Sequence, residues 1–403
     1  MVLLAHPGTQ YSHQLARQLV RRSWLSEFWT GFALSKDSWY ATPLKTLLPE
    51  RWSKRIANRF IRDVPARYLR TTPFIEWKAL RQLQSGKSAQ SVFFERNRVF
   101  QEIISTSSIK KATGIIGFDT SSWLLAEKAK NAGKPFFLDQ SISHPLANES
   151  ILREVIERYP EWQEDFQQKP ALMLDAEKRE HELAGKIVVA SRFTRQTLIS
   201  EGVDADKIVV NPYGVDVQRF NPSNLARSQR PLRFIFVGLI SARKGVPLLL
   251  EAWKSLASLN AELWLVGPVA DSIRPLLPPL PGLKLLGKRP HEELPELFRQ
   301  CDVFVFPSFC EGFGLVLLEA LASGLPIITT EATAGPDLIS DGNEGYIIKS
   351  GDTDALCHTM QSFIDNPDQV KAMSEAARRC AEKYTWEAYG DRWDKILRDN
   401  IGC

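Results

Sequence analysis

Long apolar runs are missing from this 403-residue chain. No apolar stretch approaches the roughly 18 residues a membrane-spanning helix needs. The four apolar residues between Met1 and His6 are too few for the core of a signal peptide. Cysteine is scarce and confined to the second half, at 301, 310, 357, 380 and 403. No Cys-x-x-Cys pair occurs, and none of the six histidines completes a zinc-ligand spacing. Cys301, Cys310 and Cys357 sit in or beside apolar runs, which suits buried free thiols in a reducing, cytoplasmic compartment. Repeats and low-complexity tracts are absent. A strong excess of one charge is lacking too: the formal net charge of +4 is small for this length and carries no nucleic-acid signature. What remains, 44% hydrophobic and 24% charged, is the composition of an ordinary globular chain long enough for two domains.

Periodicity then supplies a pattern. In the second half, short continuous apolar runs alternate with helical segments. The runs are LRFIFVGL (232–239), AELWLVG (261–267), LKLLG (283–287), DVFVFPS (302–308), LPIITT (325–330) and EGYIIKS (344–350). Helical patterns are expected at 247–259, 292–301 and 314–324, with a short helix and turn at 335–342. Strands that are apolar throughout, separated by helices, predict a parallel sheet covered on both faces. The first half repeats this more loosely, with strands expected near the N-terminus and at 113–119, 134–140, 185–191 and 207–216. The expected architecture is α/β, with two Rossmann-like domains facing a cleft. The first covers 1–216, a polar linker 217–231, and the second 232–384. An amphipathic helix over 385–403, with Trp386, Tyr389, Trp393, Ile396 and Leu397 on one face, follows the second sheet and is expected to pack back toward the first domain.

In such folds ligands sit beyond the C-terminal strand ends, so residues there are the candidates. Arg243 and Lys244 follow the first strand of the second domain. Two adjacent cations suit a diphosphate, although the same pair would serve as solvated loop charges. After DVFVFPS comes Glu311, then Gly312, Phe313 and Gly314 opening a helix that starts at Leu315. Glycines permit close backbone approach, and a helix N-terminus favours an anion. Glu319 lies further along among Leu317, Leu318, Ala320 and Leu321, where a carboxylate is costly to bury without a partner. Two acids flanking a phosphate cradle fit the two hydroxyl-rich rings of a sugar nucleotide. No Asp-x-Asp cluster is expected to hold a metal beside them.

These stretches resemble the retaining glycosyltransferases of family 4, which have the GT-B fold. The resemblance runs over about residues 185–395. It rests on Glu311-x₇-Glu319 in EGFGLVLLE, on GLISARKG, on LLGKRPHEELPELFRQCDVFVFPS, on GLPIITT, DGNEGYII and YTWEAYGDRW, and on VVASRFTRQTLISEGVDADKIVVNPYGVDVQRFNP. The stretch 20–110 carries no such motif. The resemblance implies that Glu311 contacts the donor sugar, that Glu319 holds the ribose, and that Arg243 and Lys244 hold the diphosphate beside Phe313, Gly314 and Leu315. It further implies that Lys288 and Arg289 face the base. In the first domain it makes Gly8 a candidate for the phosphates and His144 the best match to a catalytic histidine near the transferred sugar, although Gly8 would also serve a generic turn and His144 an ordinary loop. Tyr213 stands where the family usually has Asn, at the expected hinge.

The activity implied is retaining, metal-independent transfer of a hexosyl unit from a UDP- or GDP-sugar to a glycan, lipid-linked or small-molecule acceptor, with no cofactor. A sugar-nucleotide epimerase of similar fold, or a non-catalytic relative serving as a partner subunit, would share the donor motifs. Finally, residues 51–70 carry Arg51, Lys54, Arg55, Arg59, Arg62, Arg67 and Arg70 against the single acid Asp63, with Trp52, Ile56, Phe60 and Ile61 interleaved. This basic amphipathic stretch reads either as a solvated helix or as peripheral contact with the inner face of an anionic membrane.

Overall fold

Alternating strand residues fall on opposite faces, and in the first domain both faces are apolar. Val2 and Leu4 face one cluster with Ile116 and Phe137, while Leu3 and Ala5 face another with Ile115 and Leu138. The computed structural model describes residues 1–8, 11–35, 60–61, 63–165, 168–222, 230–256 and 260–401. Among these, seven parallel strands build the first sheet: β1 (Val2–His6), β2 (Leu25–Thr30), β3 (Leu69–Thr71), β4 (Gly114–Phe118), β5 (Phe136–Gln140), β6 (Lys186–Val189) and β7 (Ile208–Val210). Their order is β3-β2-β1-β4-β5-β6-β7. Six more build the second sheet: β8 (Leu232–Val237), β9 (Ala261–Val266), β10 (Leu283–Gly287), β11 (Val303–Phe306), β12 (Ile327–Thr330) and β13 (Gly345–Ile348), in the order β10-β9-β8-β11-β12-β13.

Each sheet reverses its direction of growth once, between β1 and β4 in the first and between β8 and β11 in the second. At such a point the loops leaving two central strands part and open a crevice. The helices used below are α1 (Ser12–Arg21), α2 (Ala89–Ile103), α3 (Pro145–Arg158), α4 (Ala171–Leu183), α5 (Leu315–Ala322) and α6 (Trp386–Ile401). The 292–301 helix is shorter than its periodicity suggests: a 3₁₀ turn at His291–Glu293 leads into Leu294–Arg299.

Helix α6 lies against the first domain. Tyr389, Trp393 and Leu397 are fully buried, worth about 2–3 kcal/mol each. Arg392 Nε donates to Asn211 Oδ1 at 2.6 Å, Trp24 Nε1 donates to Asp394 Oδ1 at 2.6 Å, and Arg22 pairs with Asp391 at 2.5 Å. The chain therefore leaves the first domain, builds the second and returns.

The basic stretch 51–70 comes out differently from its amphipathic reading where it is described. Residues 51–59 and 62, with Arg51, Lys54, Arg55, Arg59 and Arg62, lie outside the described residues. Phe60–Ile61 is a two-residue strand paired with Leu34–Ser35, and Ala66–Tyr68 is a single 3₁₀ turn leading into β3. Arg70 is committed to Glu27 at 3.1 Å. Upstream of it, the aromatic stretch SWLSEFWTGF (23–32) holds strand β2, whose residues pair with β1. No helix among the described residues is long and apolar enough to cross a membrane.

Candidate functional site

The direction reversal in the second sheet brings the loop after β8 beside the loop after β11. Arg243 O accepts from Phe309 N at 2.9 Å and from Ser308 Oγ at 3.1 Å, while Arg243 Nη1 donates to Cys310 O at 2.7 Å. Gly245, at φ +73°, sits so close that a Cβ there would meet Pro307 O at 1.9 Å. These contacts clamp the two loops together, and the side chains converge. Lys244 Nζ contacts Glu311 Oε2, Arg243 Nη1 lies 3.6 Å from the same oxygen, and Lys244 Nζ stands 4.9 Å from the centre of the Phe306 ring. Burial and the neighbouring Arg243 charge push the Lys244 ammonium below the ordinary lysine range. The Glu311 carboxylate against it counters this by favouring the charged form.

Helix α5 begins in the same place. Gly314 is its N-cap at φ +83° with no side-chain cap, so the first-turn amide groups of Leu315 and Val316 are presented beside the Arg243–Lys244–Glu311 group. Gly312 is needed for a different contact from the ligand approach expected of it. A Cβ there would meet Ser141 O, in the loop after β5, at 2.0 Å. Gly312 O in turn accepts from Ser191 Oγ at 2.6 Å and Thr194 Oγ1 at 3.0 Å, and Ser143 Oγ lies 3.0 Å from Cys310 Sγ. The turn is thus where the two domains touch. Phe313 is buried edge-on against Tyr213, with ring centres 5.2 Å apart, and Tyr213 stacks on Tyr11 at 3.9 Å. The Tyr-for-Asn departure at the hinge therefore packs directly on the turn.

Glu319 has a partner that the sequence did not suggest. His291 Nε2 lies 2.7 Å from Glu319 Oε1. His291 O accepts from Arg219 Nη2 at 2.7 Å, tying this pair to the linker. The two base-facing candidates separate. Lys288 lines a cavity of about 290 Å³ with Gly267, Pro268, Val269 and Arg274, beyond the ends of β8, β9 and β10. Arg289 turns away from it, its Nε donating to Leu286 O at 3.1 Å.

In the first domain, Gly8 follows β1 and packs on the His6 ring, which a Cβ would approach to 2.8 Å. Thr9 lies outside the described residues. His144 is not brought to the Arg243–Glu311 group by any contact in the described residues. It is the N-cap of α3, its Nδ1 accepting from Leu146 N at 3.3 Å, and its ring lies 5.3 Å from that of His181. Burial pushes His144 down to about 4 and His181 down to about 3, so both are neutral. Both line a groove of about 700 Å³ over α4, which none of the Arg243, Lys244, Glu311 and Glu319 side chains lines. Other titratable groups, not singled out from the sequence, occupy the strand ends. Asp119, after β4, accepts from Ser141 N at 3.0 Å and Ser141 Oγ at 3.1 Å. Asp139 is pushed up to about 8 by burial and by Asp119, and accepts from Tyr389 Oη of α6 at 3.3 Å.

Two Asp-x-Asp pairs do occur, and both have capping duties. Asp204 Oδ1 accepts from Asp206 N at 2.9 Å and Asp352 Oδ1 from Ala355 N at 2.8 Å. Among the described residues no group of three or more potential metal ligands is assembled.

Residues 217–380 match the family of glycosyl transferases group 1. The chain is 29% identical over 222 residues to a sulfoquinovosyl transferase of Arabidopsis thaliana, covering 52% of this chain and 43% of that protein. It is 28% identical over 243 residues to the D-inositol 3-phosphate glycosyltransferase of Corynebacterium kroppenstedtii, covering 54% of each. The chain spans about half the length of these curated relatives. Among solved structures, the sucrose-phosphate synthase of Thermosynechococcus elongatus superimposes with a TM-score of 0.66 at 19% identity, over 99% of this chain and 98% of that one. HepE of Anabaena, solved with UDP and glucose, superimposes with a TM-score of 0.62 at 16% identity, over 99% of both. At these identities the likeness is one of fold, and it extends over both sheets. The chain has the GT-B fold, and within it residues 217–380 match the family of glycosyl transferases group 1.

Proposed function

We propose that this protein is a retaining glycosyltransferase that moves a hexosyl unit from a nucleoside-diphosphate sugar to a hydroxyl-bearing acceptor without a metal. The observation that carries this reading is the convergence of Arg243, Lys244 and Glu311 at the reversal of the second sheet, beside the start of α5. The leaving diphosphate gains negative charge as the glycosidic bond breaks. Two preorganised cations and a helix N-terminus at that point lower the cost of that charge. Glu311, in contact with the cations, is released toward the sugar hydroxyls as the phosphates take the cations over. Glu319 stands further along α5, paired with His291, for the ribose, and the cavity at Lys288 suits the base. The UDP in the HepE structure supports a nucleotide donor.

A group presenting cations to a diphosphate implies selective stabilisation by the right nucleotide, so a thermal-shift screen of uridine, guanosine, adenosine and thymidine diphosphates and their sugars is the direct test. One nucleotide is expected to raise Tm by several degrees in the presence of EDTA. Lys244→Ala is expected to abolish that rise and to lower turnover by about two orders of magnitude or more. Near wild-type turnover in this variant would sink the phosphate assignment. Release of the nucleoside diphosphate together with a new α- or β-glycoside of the donor's own configuration identifies retaining transfer, whereas an isomerised donor identifies an epimerase.

A further inference from the structure

At the reversal of the first sheet, one residue beyond Asp119, the chain adopts a conformation that a β-branched residue avoids. Thr120 has φ +65°. It is held there from two sides: Thr120 N donates to Glu180 Oε2 at 2.9 Å, and Thr120 O accepts from Asn97 Nδ2 at 2.8 Å. The turn forms the floor of a pocket of about 120 Å³ between α2 and α4. That volume is about that of four waters, enough for one hydroxylated edge of a ring. One wall is aromatic, Phe94 and Trp123 stacking at 4.9 Å and 3°, with the 41%-exposed Phe93 at the mouth. The opposite wall is charged. Glu177 is 3% exposed; its Oε1 pairs with Lys169 Nζ at 2.5 Å, and its Oε2 is buried with no hydrogen-bond partner among the described residues.

An orphaned carboxylate oxygen costs about 1–3 kcal/mol or more unless something donates to it. Among the described residues nothing does, and Glu177 lines the pocket. The pocket is also joined to the donor group. Thr120 follows Asp119, Asp119 holds Ser141, and Ser141 O abuts Gly312, the residue after Glu311. We infer that this pocket binds a neutral polyhydroxylated ring as the acceptor subsite, a ring hydroxyl donating to Glu177 Oε2 and the ring's C–H face lying on the aromatic wall. The inference rests on the glycosyltransferase reading for the word acceptor, while the pocket itself does not. Lys169 is already matched by Glu177, and Asp119 and Glu180 are close by, so the surroundings disfavour an anionic ligand.

Saturation-transfer NMR on the full chain, with methyl α-glucoside, myo-inositol and glucose 6-phosphate as probes, tests this. Transfer to at least one neutral probe is expected, with transfer to glucose 6-phosphate at least fivefold weaker. Glu177→Gln keeps the shape but removes the charge, and is expected to cut the signal at least fivefold. Phe93→Ala, at an exposed position with little to unfold, is expected to cut it at least threefold. Both variants are expected to bind nucleoside diphosphate with unchanged affinity by calorimetry. Undiminished transfer in both variants, equal binding of the phosphorylated probe, or no transfer to any neutral probe overturns the proposal. Nucleotide binding without polyol binding removes this subsite alone. Loss of nucleotide binding in the wild type removes the donor reading instead.

Discussion

Burying a lone carboxylate on an apolar helix face costs several kcal/mol, and Glu319 avoids this by pairing with His291. His291 is about half exposed while Glu319 is not, so under the proposed ribose role the pair would open outward as the ribose arrives. A carboxylate holding ribose hydroxyls distinguishes a nucleotide from its deoxy form. Calorimetry is expected to give the wild type about tenfold higher affinity for a nucleoside diphosphate than for its 2′-deoxy counterpart, one hydrogen bond to a charged group. In Glu319→Gln that gap is expected to close to within about twofold. An unchanged preference in the variant would remove Glu319 from the ribose. At this scale the sequence marked Arg243, Lys244, Glu311 and Glu319 because each stands at a fixed offset from an apolar run, and the structure brings the first three together. It was silent on His291, a lone histidine in a polar loop whose partner is 28 residues away. It also suggested a catalytic place for His144, whose ring caps α3 and meets His181.

The elements of the site are two loops and one helix start, and their precision depends on how closely the loops approach. Gly245 combines a positive φ with a carbonyl where its Cβ would be; Gly202 has a similar φ of +86° with nothing within 4 Å. Replacing each by alanine separates the two costs. Gly202→Ala is expected to cost about 1 kcal/mol for its backbone conformation alone. Gly245→Ala is expected to cost at least about 2 kcal/mol, from strain plus the displaced Pro307 carbonyl. Urea unfolding of the two variants measures the difference, and equal losses would refute the clamp. Of the elements, the strands of the second sheet were legible because each is dominated by apolar residues. Strands β2 and β3 were not. Both lie near or at the sheet edge and are only partly buried, and Leu-Ser-Glu-Phe-Trp-Thr and Leu-Arg-Thr show neither an apolar run nor a clean alternation.

Over the whole molecule, the return of α6 ties the end of the chain to the strand ends of the first sheet through Tyr389 and Asp139. Asp139 is held near 8 against an ordinary value near 4. A raised carboxyl keeps its proton in the folded chain while the unfolded chain has already lost it. Stability from this group is therefore full below about pH 4 and falls as pH rises toward 8. Asp139→Asn keeps a hydrogen-bonding group toward Tyr389 but removes the titration. Its thermal stability is expected to decline less than that of the wild type between pH 5 and pH 8; a parallel decline in the two proteins would contradict the assignment.

The sequence by itself determined that two apolar parallel sheets form and which side chains follow their strands, because burial period and strand ends are local properties of the chain. Only the tertiary structure decided which of those ends meet. The reversal of the second sheet sets Arg243 and Lys244 against Glu311, Asp119 meets Ser141, Gly312 against Ser141 joins the domains, and His291 meets Glu319 from a distant segment. Those meetings depend on the order of strands and the packing of domains, and no local run of residues encodes them.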